Sequence, residues 1–167
     1  SVDGRAKEPN KENGIFLSAS KNTLIGKNLR NIISGNLKNG IEVTLNALSV
    51  EIKDNYIGLD IDGVNALGNG YNGINMTGAN ANIIDGNIIG SNGTTVNHHG
   101  IAVQNAATTS NVIKKNIVGL NKNSAVRPNT GDGIYLMNCK SNFIGGPAGD
   151  GNTVSGNTGH GISLNGA

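Results

Sequence analysis

The sequence predicts an all-β protein folded as a parallel β-helix, a solenoid of about five to six coils with three short strands per coil. Three observations predict this fold. Apolar residues alternate with variable ones over short stretches, and no segment has the apolar period of a helix. The third observation is a repeat: Gly-Ile returns with its glycine at Gly14, Gly40, Gly73, Gly100, Gly133 and Gly161, so the intervals are 26, 33, 27, 33 and 28 residues.

The first strand of each coil begins at the isoleucine of Gly-Ile. Apolar residues stand at its first and third positions, the period-two pattern of a strand with one buried face. Equivalent residues of successive coils should lie about 4.8 Å apart. The isoleucines should therefore form one internal column of Ile15, Ile41, Ile74, Ile101, Ile134 and Ile162. We expect the glycine before each of them to be required by a tight bend.

Two further alternating stretches follow in each coil, and most are introduced by asparagine. The second strands predict an internal column of Leu24, Ile52, Ile84, Ile113 and Ile144. The third strands predict a column of Ile33, Ile57, Ile89, Val118 and Val154. Asparagine tolerates left-handed backbone, and stacked asparagines can hydrogen-bond to one another. We therefore predict a ladder of Asn31, Asn55, Asn87, Asn116 and Asn152.

The composition fits a narrow core and argues against several classes of protein. Aromatic residues are 3% of the chain, so stacked Ile, Val and Leu should fill the core. Charged residues are 14% and the net charge is +2, which argues against a nucleic-acid partner. No apolar run is long enough for a membrane span. The single cysteine, Cys139, excludes an intramolecular disulfide and should be a buried structural thiol.

Two regions are expected along the chain. Residues 1–12 are polar, contain Pro9 and look like a leader or N-terminal edge, whereas residues 13–167 form the repeat domain. No amphipathic capping helix is apparent in the sequence, and an uncapped solenoid exposes unpaired strand edges. We therefore expect either a piece of a longer chain with flanking domains, or a protein that self-associates end to end.

One repeat carries a resemblance to a known superfamily. It reads NYIGLD at 55–60, ALGNG at 66–70 and GI at 73–74, and its other half reads NFIGG at 142–146 and GNTVSGN at 151–157. From about Asn13 onward the chain resembles right-handed parallel β-helix proteins of the pectate-lyase-like superfamily, and more narrowly tandem repeats of large bacterial secreted or surface proteins. The resemblance implies a right-handed, single-stranded solenoid, an extracellular or cell-surface location, and carbohydrate as the commonest ligand class. This is an argument from fold and not from a site.

The resemblance also implies where catalysis would occur, on the outer face of the first strands. The outward residues there are Phe16, Glu42, Asn75, Ala102, Tyr135 and Ser163, followed by a second row of Ser18, Thr44, Thr77, Gln104, Met137 and Asn165. A glycosidase needs two carboxylates about 5–10 Å apart, and a calcium-dependent lyase needs clustered carboxylates and a base. Glu42 is the single acid in these rows, and they contain no basic residue. No catalytic residue is therefore predicted.

The same face offers candidates for binding sugars. Tyr71 and Tyr135 could stack on sugar rings, and Phe16 should lie on the same face as Tyr135. Ordinary surface packing of the three aromatic side chains is the alternative. The polar candidates for ligand binding are Glu42, Asn75, Gln104 and His98.

The residue before each Gly-Ile suggests a weak metal site. Stacking would place His99, Asp132 and His160 in one column about 4.8 Å apart, an arrangement suited to a metal ion or a proton relay. In the three earlier coils this position holds asparagine, at Asn13, Asn39 and Asn72. That substitution favours the alternative, a corner where any hydrogen-bonding side chain serves.

A second weak metal candidate is the loop that contains Asp60 and Asp62. Its pattern resembles part of an oxygen-ligand loop for Ca²⁺. The matching loop two coils later, at 121–125, lacks both acids, and turn chemistry alone also explains Asp-Gly. No other cofactor is predicted.

The Gly-Ile intervals indicate a larger repeating unit. Added in consecutive pairs they give 59, 60, 60 and 61 residues, so the unit is two coils. The extra residues fall in two loops, 59–72 and 120–132, which we expect to project together as a ridge. Loops on a rigid scaffold often carry binding sites.

Three functions follow as hypotheses. The first is a non-catalytic extracellular or cell-surface β-helix module that acts as a spacer or as a carbohydrate-binding surface. The second is a polysaccharide lyase, glycoside hydrolase or epimerase acting on an acidic polysaccharide, with catalytic residues partly outside this sequence. The third is a self-assembling structural protein.

Overall fold

The protein is a parallel β-solenoid of about five coils with three parallel sheets. The computed structural model describes residues 3–166, and this part of the chain contains no helix. It therefore also has no helix long and apolar enough to cross a membrane. The first sheet consists of β1 (Ile15–Ser18), β4 (Ile41–Thr44), β7 (Ile74–Thr77), β10 (Ile101–Gln104), β13 (Ile134–Met137) and β16 (Ile162–Asn165).

The other two sheets have five strands each. The second sheet consists of β2 (Leu24–Gly26), β5 (Glu51–Lys53), β8 (Ile83–Asp85), β11 (Val112–Lys114) and β14 (Phe143–Ile144). The third sheet consists of β3 (Ile32–Ile33), β6 (Tyr56–Ile57), β9 (Ile88–Ile89), β12 (Ile117–Val118) and β15 (Thr153–Val154). Every strand pairs in parallel with its equivalent in the next coil, because one circuit of the chain returns it to the same sheet.

The core is the set of stacked aliphatic columns that the sequence predicts, with one exception. Strand register places the six isoleucines of the first column opposite one another from Ile15 to Ile162. The third column is also confirmed, from Ile33 to Val154. Side chains in the middle coils, such as Ile41, Ile57 and Ile101, have no exposed area. Cys139 is buried beside this core, as predicted, and its thiol contacts the Val103 carbonyl at 3.6 Å.

The predicted position of Leu24 in the second column is wrong. Leu24 pairs with Glu51 and points outward, whereas Ile25 pairs with Ile52 and is buried. The cause is the preceding turn, where Asn22 has a left-handed backbone with φ of 51°. Later coils fill that turn position with Ser49, Ala81, Ser110 and Ser141, also at positive φ. Asn22 is therefore a turn residue rather than the corner residue that begins the strand, and the strand runs one residue later than predicted.

The predicted asparagine ladder is confirmed, and the structure adds a second long one. Each side-chain Nδ2 of the first four members donates to the Oδ1 of the next, at 2.9–3.1 Å, along Asn31, Asn55, Asn87, Asn116 and Asn152. The second ladder lies at the corner between the third and first sheets and runs through Asn10, Asn36, Asn69, Asn92, Asn129 and Asn157. Most of these amides also donate to a backbone carbonyl of the preceding coil, so they join two neighbouring coils.

The glycine of Gly-Ile is required by contact between coils. A Cβ atom on Gly40 would lie 2.6 Å from the carbonyl oxygen of Gly73, and one on Gly73 would lie 2.6 Å from that of Gly100. Neither glycine has a left-handed backbone. The predicted bend is therefore a site of close backbone approach, which excludes any side chain.

The two long loops form hairpins that touch each other, as the ridge prediction expected. They are closed by antiparallel bridges between Leu59 and Ala66 and between Leu120 and Val126. The Lys122 N–H donates to the Gly63 carbonyl at 3.1 Å, and the Asn121 amide donates to the Val64 carbonyl at 2.9 Å. The first hairpin folds over the third sheet, where Gly63 lies against the Tyr56 ring.

Part of the predicted leader belongs to the same ridge. The Gly4 carbonyl accepts the Ile61 N–H at 3.1 Å. The Gly63 carbonyl accepts the Lys122 N–H in the same way, two coils further along the solenoid. Gly4, Gly63 and Ser124 share a left-handed backbone, with φ of 66°, 65° and 62°. Residues 4–10 are therefore equivalent to the second half of each hairpin. Residues 1, 2 and 167 lie outside the described residues.

Candidate functional site

The outer face of the first sheet carries both predicted rows of outward side chains. Parallel in-register pairing aligns Phe16, Glu42, Asn75, Ala102, Tyr135 and Ser163 in the first row. It aligns Ser18, Thr44, Thr77, Gln104, Met137 and Asn165 in the second. We call the surface formed by these two rows, together with the residues that precede each Gly-Ile, the first-sheet face.

Glu42 lies at the centre of a hydrogen-bond network on the first-sheet face. The Asn75 amide donates to one carboxylate oxygen at 2.9 Å, and the Asn39 amide donates to the other at 2.5 Å. The Gln104 amide in turn donates to the side-chain Oδ1 of Asn75 at 3.2 Å. The amides of Asn75 and Asn39 therefore both direct a donor at the carboxylate. Three predicted ligand-binding residues, Glu42, Asn75 and Gln104, are brought together by these contacts.

Asn39 also belongs to this network, although the sequence predicted for it only a role in the corner before Gly-Ile. It lies three residues before Glu42, on the other side of Gly40-Ile41, and the same spacing brings the Asn72 amide to 3.5 Å from the side-chain Oδ1 of Asn75. The corner residue and the outward residue three positions later therefore lie side by side. This spacing was present in the sequence and could have identified Asn39 as a partner of Glu42.

Two predicted aromatic residues each stack on a histidine from a neighbouring coil. The Tyr135 ring lies 4.2 Å from the His99 ring, with 11° between the planes. The Tyr71 ring lies 4.8 Å from the His98 ring, with 21° between the planes. Tyr71 remains 42% exposed. The histidines lie next to each other in the chain, so the two stacked pairs are neighbours at the edge of the face.

The third predicted aromatic residue lies apart from these pairs. Phe16 is in the same row as Tyr135 and is 61% exposed. Four coils separate them, which corresponds to about 19 Å along the solenoid. Phe16 is next to Glu42 in the row and thus extends the first-sheet face at its other end.

Ala102 is the smallest outward residue of the first row and lies in the middle of the first-sheet face. It points outward between Asn75 and Tyr135, yet it has no exposed area. Its larger neighbours must therefore close over it. Tyr135 also donates its hydroxyl hydrogen to the Met137 sulfur, with the atoms 3.0 Å apart. The stack on His99 and the hydrogen bond of the hydroxyl group together hold the Tyr135 ring in one orientation.

Five of the six residues before Gly-Ile, from Asn13 to Asp132, act as corner acceptors. Each accepts the backbone N–H of its equivalent in the following coil with its side chain, at 2.6–3.0 Å. The column runs through Asn13, Asn39, Asn72, His99, Asp132 and His160. His99 uses Nδ1 as its acceptor, so this nitrogen must lack a proton. Burial lowers the pKa of His99, although the carboxylate of Asp132 partly opposes the shift.

His99, Asp132 and His160, the three residues predicted to bind a metal, follow one another in this column. The side chains of His99 and Asp132 each already accept a backbone hydrogen bond. Asp132 Oδ1 accepts the His160 N–H at 2.7 Å, and His99 Nδ1 accepts the Asp132 N–H at 3.0 Å. Asp132 Oδ2 lies 3.6 Å from His99 Nδ1. Across residues 3–166, no group of three or more His, Cys, Asp or Glu side chains is close enough to hold a metal ion.

The loop acids predicted as a second metal site are both engaged within the ridge. Asp60 is buried and accepts bonds from the Val64 N–H, the Asn65 N–H and the Asn65 amide at 2.7–3.1 Å. Asp62 forms an ion pair with Arg5. Asn121 occupies the position equivalent to Asp60 in the next hairpin and accepts the Asn123 and Ala125 N–H groups at 2.9 Å. The Asp60 carboxylate therefore stabilises the turn of its own hairpin by accepting these hydrogen bonds.

The first-sheet face carries two carboxyl groups, Glu42 in the outward rows and Asp132 among the residues that precede Gly-Ile. Burial raises the pKa of Glu42, and the hydrogen bonds from Asn75 and Asn39 oppose part of this shift. Lys38, at the edge of the face, forms an ion pair with Glu12. Burial also lowers the pKa of His98. Burial therefore disfavours the charged form of both histidines of the stacked pairs, and within residues 3–166 no basic side chain forms an ion pair with Glu42.

Comparisons of this chain with protein-family models, with curated proteins and with solved structures returned no match.

Proposed function

We propose that the chain is a non-catalytic β-solenoid module that binds carbohydrate along its first-sheet face. The observation that carries the proposal is the combination of fixed aromatic rings and fixed amide and carboxylate groups on the first-sheet face and at its edge. Sugar rings present apolar C–H faces and hydroxyl edges, so a binding surface needs both an apolar platform and hydrogen-bonding side chains. Tyr135 and Tyr71 supply the first, and the Glu42 network supplies the second.

Non-catalytic binding is supported by the chemistry of the two outward rows. Hydrolysis of a glycosidic bond needs an acid and a second carboxylate about 5–10 Å away. Glu42 is the single carboxylate in these rows, and two amides already donate to it. The pectate-lyase-like resemblance of the repeats adds an association with carbohydrate and with an extracellular or cell-surface location. A role as a spacer follows from the same rigid ladders if no ligand is found.

The test is a binding measurement against polysaccharides of different composition, followed by matched substitutions. Tyr135→Ala should reduce affinity by about ten-fold, which corresponds to roughly 1.4 kcal/mol. Tyr71→Ala should weaken binding in the same direction. Phe143→Ala is the control, because Phe143 is a 61% exposed aromatic residue on the second sheet. Absence of binding to every glycan class by the folded protein would leave only the spacer role.

Release of reducing or unsaturated sugar ends by the purified chain would contradict the non-catalytic part of this proposal. That assay should be run on the same polysaccharides and in the presence of Ca²⁺. Light scattering at high concentration separates both outcomes from self-assembly, because a binding module remains monodisperse when its ligand is absent.

A further inference from the structure

The Glu42 carboxyl group has no basic partner among the described residues. It is half-buried on the first-sheet face, and no Lys, Arg or His side chain within residues 3–166 forms an ion pair with it. The nearest basic side chain in the same coil by sequence, Lys38, is paired with Glu12. Desolvating a carboxylate without a cation is costly, and the raised pKa of Glu42 is consistent with that cost.

The two amides that hold Glu42 leave it room for a further donor. Each carboxylate oxygen accepts one amide hydrogen, from Asn75 and from Asn39. An ionised carboxylate offers about four acceptor positions, so about two remain open. The amides also fix its orientation, because Asn75 is itself held by Gln104 and Asn39 is held in the corner column. A carboxylate that is held in one orientation, has open acceptor positions and has no basic partner is suited to bind the ammonium group of a ligand.

The surroundings of Glu42 disfavour a negatively charged ligand. None of the residues in the two outward rows, all of them within the described chain, is Lys or Arg. The other titratable groups of this face are Asp132, which is acidic, and His98, His99 and His160. The pKa values of His98 and His99 are both lowered, so neither supplies a positive charge at neutral pH. A uronic acid polymer would therefore meet the carboxyl groups of Glu42 and Asp132 and, in the two outward rows, no Lys or Arg side chain.

We infer that the carbohydrate bound on the first-sheet face bears protonated amines, as in a polymer or oligomer of amino sugars, and that Glu42 binds the ammonium group. The inference rests on the proposed carbohydrate function. It specifies that function further, because a neutral glycan would use the tyrosines and amides equally well but would leave Glu42 unpaired. The net charge of the whole chain, +2, repels a polycation, so preference for such a ligand must come from the local site.

The experiment compares three oligosaccharide classes of matched length by isothermal titration calorimetry at about pH 6, where free carboxylates are ionised. The probes are glucosamine oligomers, their N-acetylated neutral forms, and oligogalacturonates. The expected result is binding of the glucosamine oligomers at least about ten-fold tighter than the neutral forms, with oligogalacturonates weakest. Glu42→Gln should reduce the affinity for the glucosamine oligomers to that for the neutral forms and leave the latter unchanged. Glu51→Gln, a more exposed glutamate paired with Lys53 on the second sheet, is the matched control.

The outcomes separate this inference from the proposed function. Equal or tighter binding of neutral or acidic oligomers to the unaltered protein would overturn the amine inference and keep carbohydrate binding. No binding of any of the three classes would overturn both. If Glu42→Gln does not fold, NMR titration of the Glu42 carboxyl in the unaltered protein replaces it. A bound ammonium should lower the pKa of Glu42 in the complex, and an unchanged pKa would contradict the inference.

Discussion

The Nδ1 atom of His99 accepts a hydrogen bond from the backbone N–H of Asp132 at 3.0 Å. Asparagine performs this function at the equivalent positions of the earlier coils, through Asn39 and Asn72. The histidine can replace the amide only when its Nδ1 carries no proton, because a protonated imidazole has no acceptor. A backbone hydrogen bond between two coils thus depends on the protonation state of one buried side chain.

Substitution of His99 should change how stability depends on pH. The folded-state pKa of His99 is lowered mainly by burial, so the unfolded chain binds a proton more readily. The contribution of His99 to the free energy of unfolding should be fully present above the unfolded pKa, near 6.5. It should be lost as pH falls below that value and through the folded pKa. Urea denaturation at about pH 5 and pH 8 measures this difference.

His99→Asn and His99→Leu are the informative pair. Asparagine keeps the acceptor and loses the stack on Tyr135, so at pH 8 His99→Asn should lower the free energy of unfolding by roughly 0.5–1.5 kcal/mol. It should also remove the part of the pH dependence of stability that His99 causes. Leucine leaves the Asp132 N–H without its acceptor and should cost about 1–3 kcal/mol. A His99→Asn protein with the same pH dependence as the unaltered chain would show that another group, such as His98, is responsible.

Asn87 in the middle of the predicted ladder should be among the costliest polar positions to substitute. It has no exposed area, and its amide donates to the Ile52 carbonyl and to Asn116 while its oxygen accepts the backbone and amide N–H groups of Asn55. Asn87→Ala leaves several of these groups unpaired, and each buried unpaired group costs about 1–3 kcal/mol. We expect a loss of about 3 kcal/mol or more in the free energy of unfolding.

Asn123→Ala is the control for the ladder, because Asn123 is exposed in the second hairpin. Its effect should remain within about 0.5 kcal/mol. Both variants can be compared by thermal and urea denaturation. A loss for Asn87→Ala no larger than that of the control would mean that the ladder bonds are replaced by water and contribute little.

The sequence was sufficient to predict the solenoid because its repeat leaves few alternatives. Successive coils stack in register, so one period fixes the Ile15 to Ile162 column, the third column and the Asn31 to Asn152 ladder together. It was insufficient at Leu24, where two adjacent apolar residues fit the alternation equally well. The left-handed backbone of Asn22, which sets the register there, cannot be distinguished by residue type from the extended asparagines that begin other strands.

The sequence predicted which residues of the candidate site point outward from the first sheet, and it did not predict the contacts between their side chains. Alternation placed Glu42, Asn75 and Tyr135 on one face. The stack of Tyr135 on His99 joins residues of different rows and different coils, and it depends on side-chain rotamers that periodicity does not encode. Pairing of His98 with Tyr71 is of the same kind. These contacts convert scattered aromatic residues into two fixed platforms.

The corrected register of the second strand gives a direct test by paired substitutions. Ile25→Ala removes a side chain that is 7% exposed and belongs to the core column. It should cost about 2–5 kcal/mol, because it leaves a cavity. Leu24→Ala changes a side chain that is 48% exposed and should cost about 0.5 kcal/mol or less. The opposite order in urea denaturation would restore the original prediction that Leu24 faces inward.

Asp60 should tolerate replacement by asparagine and not by alanine. Its oxygens accept the Val64 and Asn65 N–H groups, and Asn121 makes the equivalent bonds with Asn123 and Ala125 in the next hairpin. Asp60→Asn keeps one acceptor oxygen for these N–H groups, so its effect should be small at neutral pH. Asp60→Ala leaves donors of the loop unpaired and should cost about 1–3 kcal/mol.

The same pair of variants distinguishes loop closure from Ca²⁺ binding by the Asp60 and Asp62 loop. Burial opposes the charge of Asp60, but the hydrogen bonds outweigh it and lower the pKa of the carboxyl. Its contribution to stability should therefore be present above the unfolded pKa, near 4, and be lost as pH falls through the folded value. Asp60→Asn should remove that dependence, as measured by thermal denaturation between about pH 2 and pH 6. If Ca²⁺ instead raises the melting temperature of the unaltered chain and not that of Asp60→Asn, the carboxylate is a metal ligand and the loop-closure account is incomplete.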